Sequence, residues 1–428
     1  MKTIKVLFDA TILVYGEKNP SDRTGIYWVA FNILQQFLLN KSYKITLYSS
    51  NQKFKKLSFK LPFVVFNDRQ RIYKLNIEVH KNQIKKTKNI IIIAFRLLQI
   101  IKNLVLLLQI SLLYRFDKKY CIDNYDVFIS PMFSLPDMII DKKKIKMFHI
   151  LYDCVPLMNN VPFLDIDSAH WFIKLVKALN KETYYFCISE CTKKDFLKIA
   201  SSQLDEKKMY VTPSATSKKY FPNYNISFLK EVLKKYNYTF NSDDHYIFSL
   251  CTIDPRKNLL FTIKCFIKFL KKNSIENTYF FLGGGKGCFE EYYKTFLFKI
   301  SDFTENCNKI IYLGYVDDDD INILYSNSLL FVYLSQYEGF GIPPLEAMQA
   351  GTPVICSNNS SLPEVVGNAA IMIDYGSEEQ CIKAFENLYF YPELRKEYIK
   401  KGIERAKLFS WERTFNTMSN VIMETINK

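Results

Sequence analysis

The chain has 428 residues, 48% of them apolar, and a formal net charge of +15. That length is too great for one typical core and predicts two domains, and the apolar content excludes global disorder. The ten cysteines form no CxxC pair and no zinc-ligand spacing, which excludes a recognisable zinc module and predicts reduced thiols.

The N-terminus has a basic start, but Asp9 closes its short apolar run. It reads as a buried strand, Lys5–Asp9, and not as a signal peptide. Arg23–Leu39 reads as a Gly-containing loop feeding an amphipathic helix, and Lys44–Ser49 as a second strand. Residues 51 to 119 carry sixteen Lys and Arg against three acids, most of the charge excess of the whole chain. A basic partner surface is therefore local to the first half, with anionic lipid and nucleic acid as the two candidate classes.

Within that stretch, Ile90–Leu113 is strongly apolar and carries Arg96, Gln99, Lys102, Asn103 and Gln109 near one helical face. Basic residues flank it at 81–88 and 115–119. Three readings stay open: a core-facing helix, a helix lying in a membrane interface, and a spanning helix. The last is disfavoured by the cost of Arg96 and Lys102 at a bilayer centre.

Asp126–Ser130 and Lys146–Leu151 are further short apolar runs. In the second half, His245–Ser249, Thr278–Leu282, Lys309–Leu313, Leu329–Leu334 and Pro353–Ser357 are strand-like, with helical stretches between them. Strands alternating with helices predict an α/β architecture, a doubly wound parallel sheet occurring twice. The polar stretch Phe221–Asp244 reads as the linker. Ligands in such sheets bind beyond the carboxyl ends of the strands.

Four constellations carry chemistry. Tyr337–Met348 sets Glu338 and Glu346 with seven residues between them, Gly339, Gly341, Pro343 and Pro344 among these. Glycines admit a ligand to the backbone, and prolines start a helix whose unpaired N–H groups suit phosphate. The two acids would repel phosphate and suit neutral hydroxyls instead. Asp254-Pro255-Arg256-Lys257-Asn258 puts two cations at a helix start, where they oppose the dipole unless an anion is bound. Gly283-Gly284-Gly285-Lys286-Gly287 reads either as a phosphate or base cradle or as a plain turn; it is not a Walker loop. Asp317–Asp320 reads as acids in the first turn of a helix, not as a metal site.

These residues resemble the retaining glycosyltransferases of family 4. The resemblance runs through Tyr337–Met348, Ala350–Ile355, Leu362-Pro363-Glu364-Val365, Pro255-Arg256-Lys257-Asn258, Leu313–Val316 with the acids after it, and Phe409-Ser410-Trp411-Glu412. In the first half it is thinner, at Thr24-Gly25-Ile26-Tyr27, Asp126–Pro131 and Ile188-Ser189-Glu190. Tyr152-Asp153-Cys154-Val155-Pro156 resembles a family segment with His before the Asp; Tyr152 replaces that His, and Cys251 stands where glycine is common.

The resemblance implies a GT-B fold of two Rossmann-like domains facing a cleft. These would be an N-terminal acceptor-side domain at 1–225, with the basic amphipathic segment near 81–119, a nucleotide-sugar domain at 240–408, and a tail helix at 409–428 crossing back. It implies that Arg256 and Lys257 hold the donor diphosphate and Glu338 contacts the donor sugar hydroxyls. The backbone of Gly339, Phe340 and Gly341 would lie beside sugar and phosphate, Glu346 would take the ribose hydroxyls, and the backbone near Val316 would meet the base. Gly25 would let a loop close over the phosphates, and Asp153 is the candidate acceptor-side base.

The implied activity is transfer of a hexose, with retention, from a GDP- or UDP-sugar to a glycan or lipid-linked acceptor. A mannosyltransferase-like enzyme of surface polysaccharide, lipopolysaccharide or glycolipid synthesis fits that pattern. No metal and no cofactor are expected, and the basic first half carries no recognisable nucleic-acid module. The expected location is cytoplasmic, peripheral on the inner membrane face. An epimerase-like GT-B enzyme and a non-catalytic partner subunit remain the alternatives.

Overall fold

The computed structural model describes residues 3–18, 25–49, 63–65, 97–102, 104–105, 124–133, 144–157, 166–287 and 290–427. The chain divides into two compact units, residues 1–149 with 424–428, and residues 150–423. The sequence places its linker at Phe221–Asp244, and that stretch contains the helix Ile226–Lys235, capped by the Asn225 side chain and burying Leu229, Val232 and Leu233. The apolar residues fall three and four apart, which is one helical face.

The first unit is built on parallel strands β1 (Ile4–Asp9), β2 (Tyr43–Ser49), β3 (Phe63–Val65), β4 (Val127–Ser130) and β5 (Lys146–Leu151). β1 pairs with β2 and β4, β2 with β3, and β4 with β5. With β6 (Tyr184–Cys187) and β7 (Met209–Val211) the strand order is β3-β2-β1-β4-β5-β6-β7. Parallel neighbours need crossovers, and the helix Gly25–Leu39 supplies the one between β1 and β2, burying Val29, Ala30, Ile33, Leu34 and Phe37. Asp9 ends β1 buried and accepts hydrogen bonds from the Thr11 N–H (2.9 Å) and hydroxyl (2.5 Å). Burial raises its carboxyl to about 6.

The second unit holds β8 (His245–Leu250), β9 (Thr278–Gly283), β10 (Ile310–Gly314), β11 (Leu330–Tyr333), β12 (Val354–Ser357) and β13 (Ile371–Ile373). Their order is β10-β9-β8-β11-β12-β13, all parallel. Five of these six strands coincide with the predicted runs to within one or two residues. The order reverses between β8 and β11, so the crevice outside the carboxyl ends of those two strands is the expected ligand site. The helix Leu259–Asn273 seals one face with Ile263, Phe266, Phe269 and Leu270 at helical spacing.

Candidate active site

The segments after β8 and β11 meet at that reversal. Asp254 caps a short 3-10 turn, Pro255–Lys257, by accepting from the Arg256 N–H at 2.8 Å, and Pro255 fills the first position. Asn258 then takes a left-handed conformation (φ 56°) before the helix Leu259–Asn273 begins. This bend leaves Lys257 buried beside Glu338, which follows β11.

Glu338 Oε1 lies 2.5 Å from Lys257 Nζ, 2.9 Å from an Arg256 guanidinium nitrogen and 2.9 Å from the Tyr333 hydroxyl. The three charged side chains are only 8–14% exposed. Burial alone would raise the Glu338 carboxyl, but Arg256 and Lys257 overcome it and hold it at about 2. The sequence separates these roles, with cations for phosphate and the acid for sugar; the structure gathers all three into one cluster. Arg256 Nη1 also donates to the Tyr337 carbonyl, while its buried Nε has no hydrogen-bond partner among the described residues.

Glycine at 339 is required by space. A Cβ there would stand 2.3 Å from the Tyr152 carbonyl oxygen and 2.9 Å from the Asp153 Cβ. The same contact puts Asp153 beside the loop. Burial raises the Asp153 carboxyl, and Arg256 and Lys257 act against that rise. Its Oδ1 accepts from the Val155 N–H at 3.1 Å. Gly341 has φ 120° and starts the helix Ile342–Gln349. Gly339, Phe340 and Gly341 are all buried, and among the described residues their N–H groups have no hydrogen-bond acceptor.

Glu346 sits one turn into that helix. Burial raises it to about 7, against hydrogen bonds from Tyr220 and Tyr325, the latter at 3.2 Å. Val316 is buried, and its backbone N–H and C=O make no hydrogen bond among the described residues. Gly25 is the first residue of the helix Gly25–Leu39 in the first unit.

Two motifs receive different roles from those open in the sequence. The Gly283–Gly287 turn is a packing device. A Cβ on Gly284 would fall 1.7 Å from the Cys251 carbonyl oxygen and one on Gly287 2.9 Å from that of Ile253. Small residues there let the segments after β8 and β9 lie together. In the acidic run, Asp320 makes no cap bond and instead pairs with Lys235 (2.7 Å) and the Tyr236 hydroxyl (2.9 Å) on the helix of the supposed linker.

Several residues escape sequence reasoning. Ser189 donates to the Gly339 carbonyl at 2.6 Å, and Thr192 to the Tyr152 carbonyl at 2.6 Å. The Tyr337 hydroxyl donates to Asp195. Glu364 accepts from the N–H groups of Glu190 and Cys191 at 2.8 and 2.9 Å. These bonds stitch the start of the helix Glu190–Ala200 to the Glu338 loop. The sequence signals are a Ser directly before a helix, which reads as a cap, and the family likeness of Ile188-Ser189-Glu190 and Leu362-Pro363-Glu364-Val365, which assigns these residues no role. In the tail helix Trp411–Asn427, Thr414 donates to the Pro213 carbonyl at 2.5 Å, and residues 424–428 group with the first unit.

Comparison with known proteins agrees with this geometry. Residues 233–405 match the family model described as glycosyl transferases group 1. An O-antigen chain mannosyltransferase B of Escherichia coli is 28% identical over 336 residues, 78% of this chain and 82% of that protein. Anabaena Alr3699/HepE, solved in complex with UDP and glucose, superposes with a TM-score of 0.68 at 13% identity, covering 98% of this chain and 99% of that one. Sucrose-phosphate synthase from Thermosynechococcus elongatus gives 0.66 at 14% identity over 99% of each chain. The match over residues 233–405, on a two-sheet α/β scaffold of the GT-B type with its charged cluster at the strand-order reversal, identifies a glycosyltransferase whose group 1 domain occupies that stretch.

Proposed function

We propose that the protein transfers a hexosyl group, with retention, from a nucleotide-diphosphate sugar to a glycan or lipid-linked acceptor in surface polysaccharide or lipopolysaccharide synthesis. The mannosyltransferase relative makes mannose the first sugar to try. The observation that carries the proposal is the buried Arg256–Lys257–Glu338 cluster at the strand reversal, where the Arg256 Nε and the N–H groups of residues 339–341 have no hydrogen-bond partner among the described residues.

In this reaction the bond from the anomeric carbon to the diphosphate oxygen breaks, leaving an oxocarbenium-like sugar. Arg256 and Lys257 stabilise the departing anion by charge already in place, without a metal. Glu338, ionised at neutral pH, accepts from the sugar hydroxyls while keeping the cations oriented. The acceptor oxygen bonds to the anomeric carbon on the face the diphosphate leaves. Its proton passes to the leaving phosphate oxygen; Asp153 is the alternative base. Glu346 accepts from the ribose hydroxyls, and the Val316 backbone meets the base.

The test is a panel of GDP- and UDP-sugars scored by nucleotide release and thermal shift, with Glu338→Ala and Arg256→Ala as controls. Equal shifts in wild type and both variants would sink the site assignment. An epimerase would interconvert the donor without needing an acceptor, and a non-catalytic subunit would release no nucleotide.

We also propose a peripheral place on an anionic membrane surface. Residues 97–102 and 104–105 are helical; Ile100 is buried, whereas Leu97, Leu98, Ile101, Leu104 and Val105 are exposed. Apolar exposure beside basic flanks suits an interfacial helix. The flanks 81–88 and 115–119 and most of the polar stripe lie outside the described residues. No helix among the described residues is long and apolar enough to cross a membrane. Vesicles of phosphatidylglycerol and phosphatidylcholine should co-sediment the protein. Unchanged binding after neutralising 81–88 would defeat the idea.

A further inference from the structure

The three carbonyls of the Glu338 loop are held from behind by two serines. The Ser361 hydroxyl lies 2.6 Å from the Phe340 carbonyl oxygen and 2.9 Å from that of Glu338. The Ser189 hydroxyl lies 2.6 Å from the Gly339 carbonyl oxygen. In a trans peptide the C=O and the following N–H point in opposite directions. Holding the carbonyls of Glu338, Gly339 and Phe340 therefore aims the N–H groups of Gly339, Phe340 and Gly341. Those are the three buried donors without an acceptor. A buried backbone N–H is rarely left unpaired, so three in succession mark a place for ligand oxygen atoms.

Helix capping does not account for the two serines. Ser189 precedes the helix Glu190–Ala200 and accepts from the Thr192 N–H, but its hydroxyl also lies 2.6 Å from the Gly339 carbonyl oxygen, nearer than the Thr192 hydroxyl at 2.9 Å, while the Thr192 hydroxyl stands 3.2 Å from that carbonyl. Ser361 precedes the helix Leu362–Val366 and makes no side-chain cap bond at all. A serine at that position ordinarily caps its own helix. Here the hydroxyl, fully buried, is turned to the loop instead.

We infer that Ser189 and Ser361 are positioning residues for glycosyl transfer. They do not touch the donor; they orient the N–H groups of residues 339–341 toward the oxygens of the donor sugar and of the phosphate joined to it. The inference rests on the donor-loop reading given under Proposed function. It adds that the loop's binding power depends on two hydroxyls outside it, one of them 150 residues away in sequence.

The test titrates the full chain with GDP, UDP, GMP and UMP by calorimetry. Ser361→Ala and Ser189→Ala should each weaken the diphosphate that wild type binds by about tenfold, and the matching monophosphate by less than about twofold. The difference arises because the N–H run serves the sugar-side phosphate. Ser189→Thr keeps the hydroxyl and should keep wild-type affinity. A merely structural role would weaken both nucleotides alike, and that result, or unchanged diphosphate affinity in a folded alanine variant, overturns the inference. If one alanine variant does not fold, the other decides. Failure of the underlying reading looks different: wild type would bind neither diphosphate, or Arg256→Ala would bind as wild type does.

Discussion

Lys257 Nζ and Glu338 Oε1 stand 2.5 Å apart in a buried pocket that Arg256 also enters. One carboxylate thus faces two cations that ligand phosphate would otherwise hold. Glu338→Gln leaves Lys257 without its carboxylate and Arg256 with Asp254, 3.9 Å away, and should lower stability by about 3 kcal/mol, since stripping one partner from a buried pair costs about 3–5 kcal/mol. A bound diphosphate supplies the missing negative charge. GDP or UDP should therefore raise the thermal midpoint of the variant more than that of wild type. Equal increments in paired melts would contradict the exchange.

The same carboxylate sets an acid limit. Its pKa is depressed from 4.5 to about 2 in the folded protein. A depressed acid adds stability above its unfolded value, and that stability is lost as pH falls through the folded one. The contribution, on the order of 3 kcal/mol, should be complete above pH 4.5 and disappear toward pH 2. Urea unfolding across that window should show wild type losing this increment and Glu338→Gln lacking it throughout.

Glu346 titrates in the opposite sense. Its folded value is raised to about 7, so protonation favours the folded state and that advantage is lost as pH climbs through 7. The ionised form is the better acceptor for ribose hydroxyls. Nucleotide affinity should rise by about fivefold between pH 6 and 8, with Glu346→Gln flat over that range. A 2′-deoxynucleotide should show a smaller slope than its ribose counterpart in the same calorimetric series.

Gly339→Ala forces a methyl group into the Tyr152 carbonyl. The loop must move, and a shift of about 1 Å at such a site costs about 10²-fold in rate. We expect kcat/KM for the donor to fall by about that factor. Gly376→Ala, with φ 79° and nothing within 4 Å of the added methyl, should leave kcat/KM intact and serve as the backbone-strain control.

Asp320→Ala removes the partner of Lys235 and Tyr236 without removing any member of the charged cluster. The thermal midpoint should drop by about 3 °C with kcat unchanged. Loss of activity without loss of stability would instead bring back a ligand role for the acidic run.

Much of this was legible because parallel strands covered on both faces read as continuous apolar runs. Phe331, Val332 and Tyr333 in β11 and Tyr246, Ile247 and Phe248 in β8 are such runs, all buried. β7 and β13 have three residues each and fall below the length at which a run stands out. Glu338, Arg256 and Lys257 were found as charges whose placement local structure did not explain. Tyr333 was not, because a tyrosine inside a strand looks like core. Ser189 and Ser361 were hidden for a related reason: a serine before a helix already has an ordinary use. The helix Ile226–Lys235 was passed over because three lysines and a glutamate mask its three-residue apolar face.

The stitches between residues 189–192 and 339, and between 190–191 and 364, span 147 to 174 positions along the chain. Closing loops of that length costs entropy that the contacts must offset. The matched segment 233–405 contains Arg256, Lys257, Glu338, Glu346 and Ser361 but not the Ser189 hydroxyl that holds Gly339. Excised, it would keep its charges and lose that bond. The chemistry thus draws on more of the chain than the matched domain.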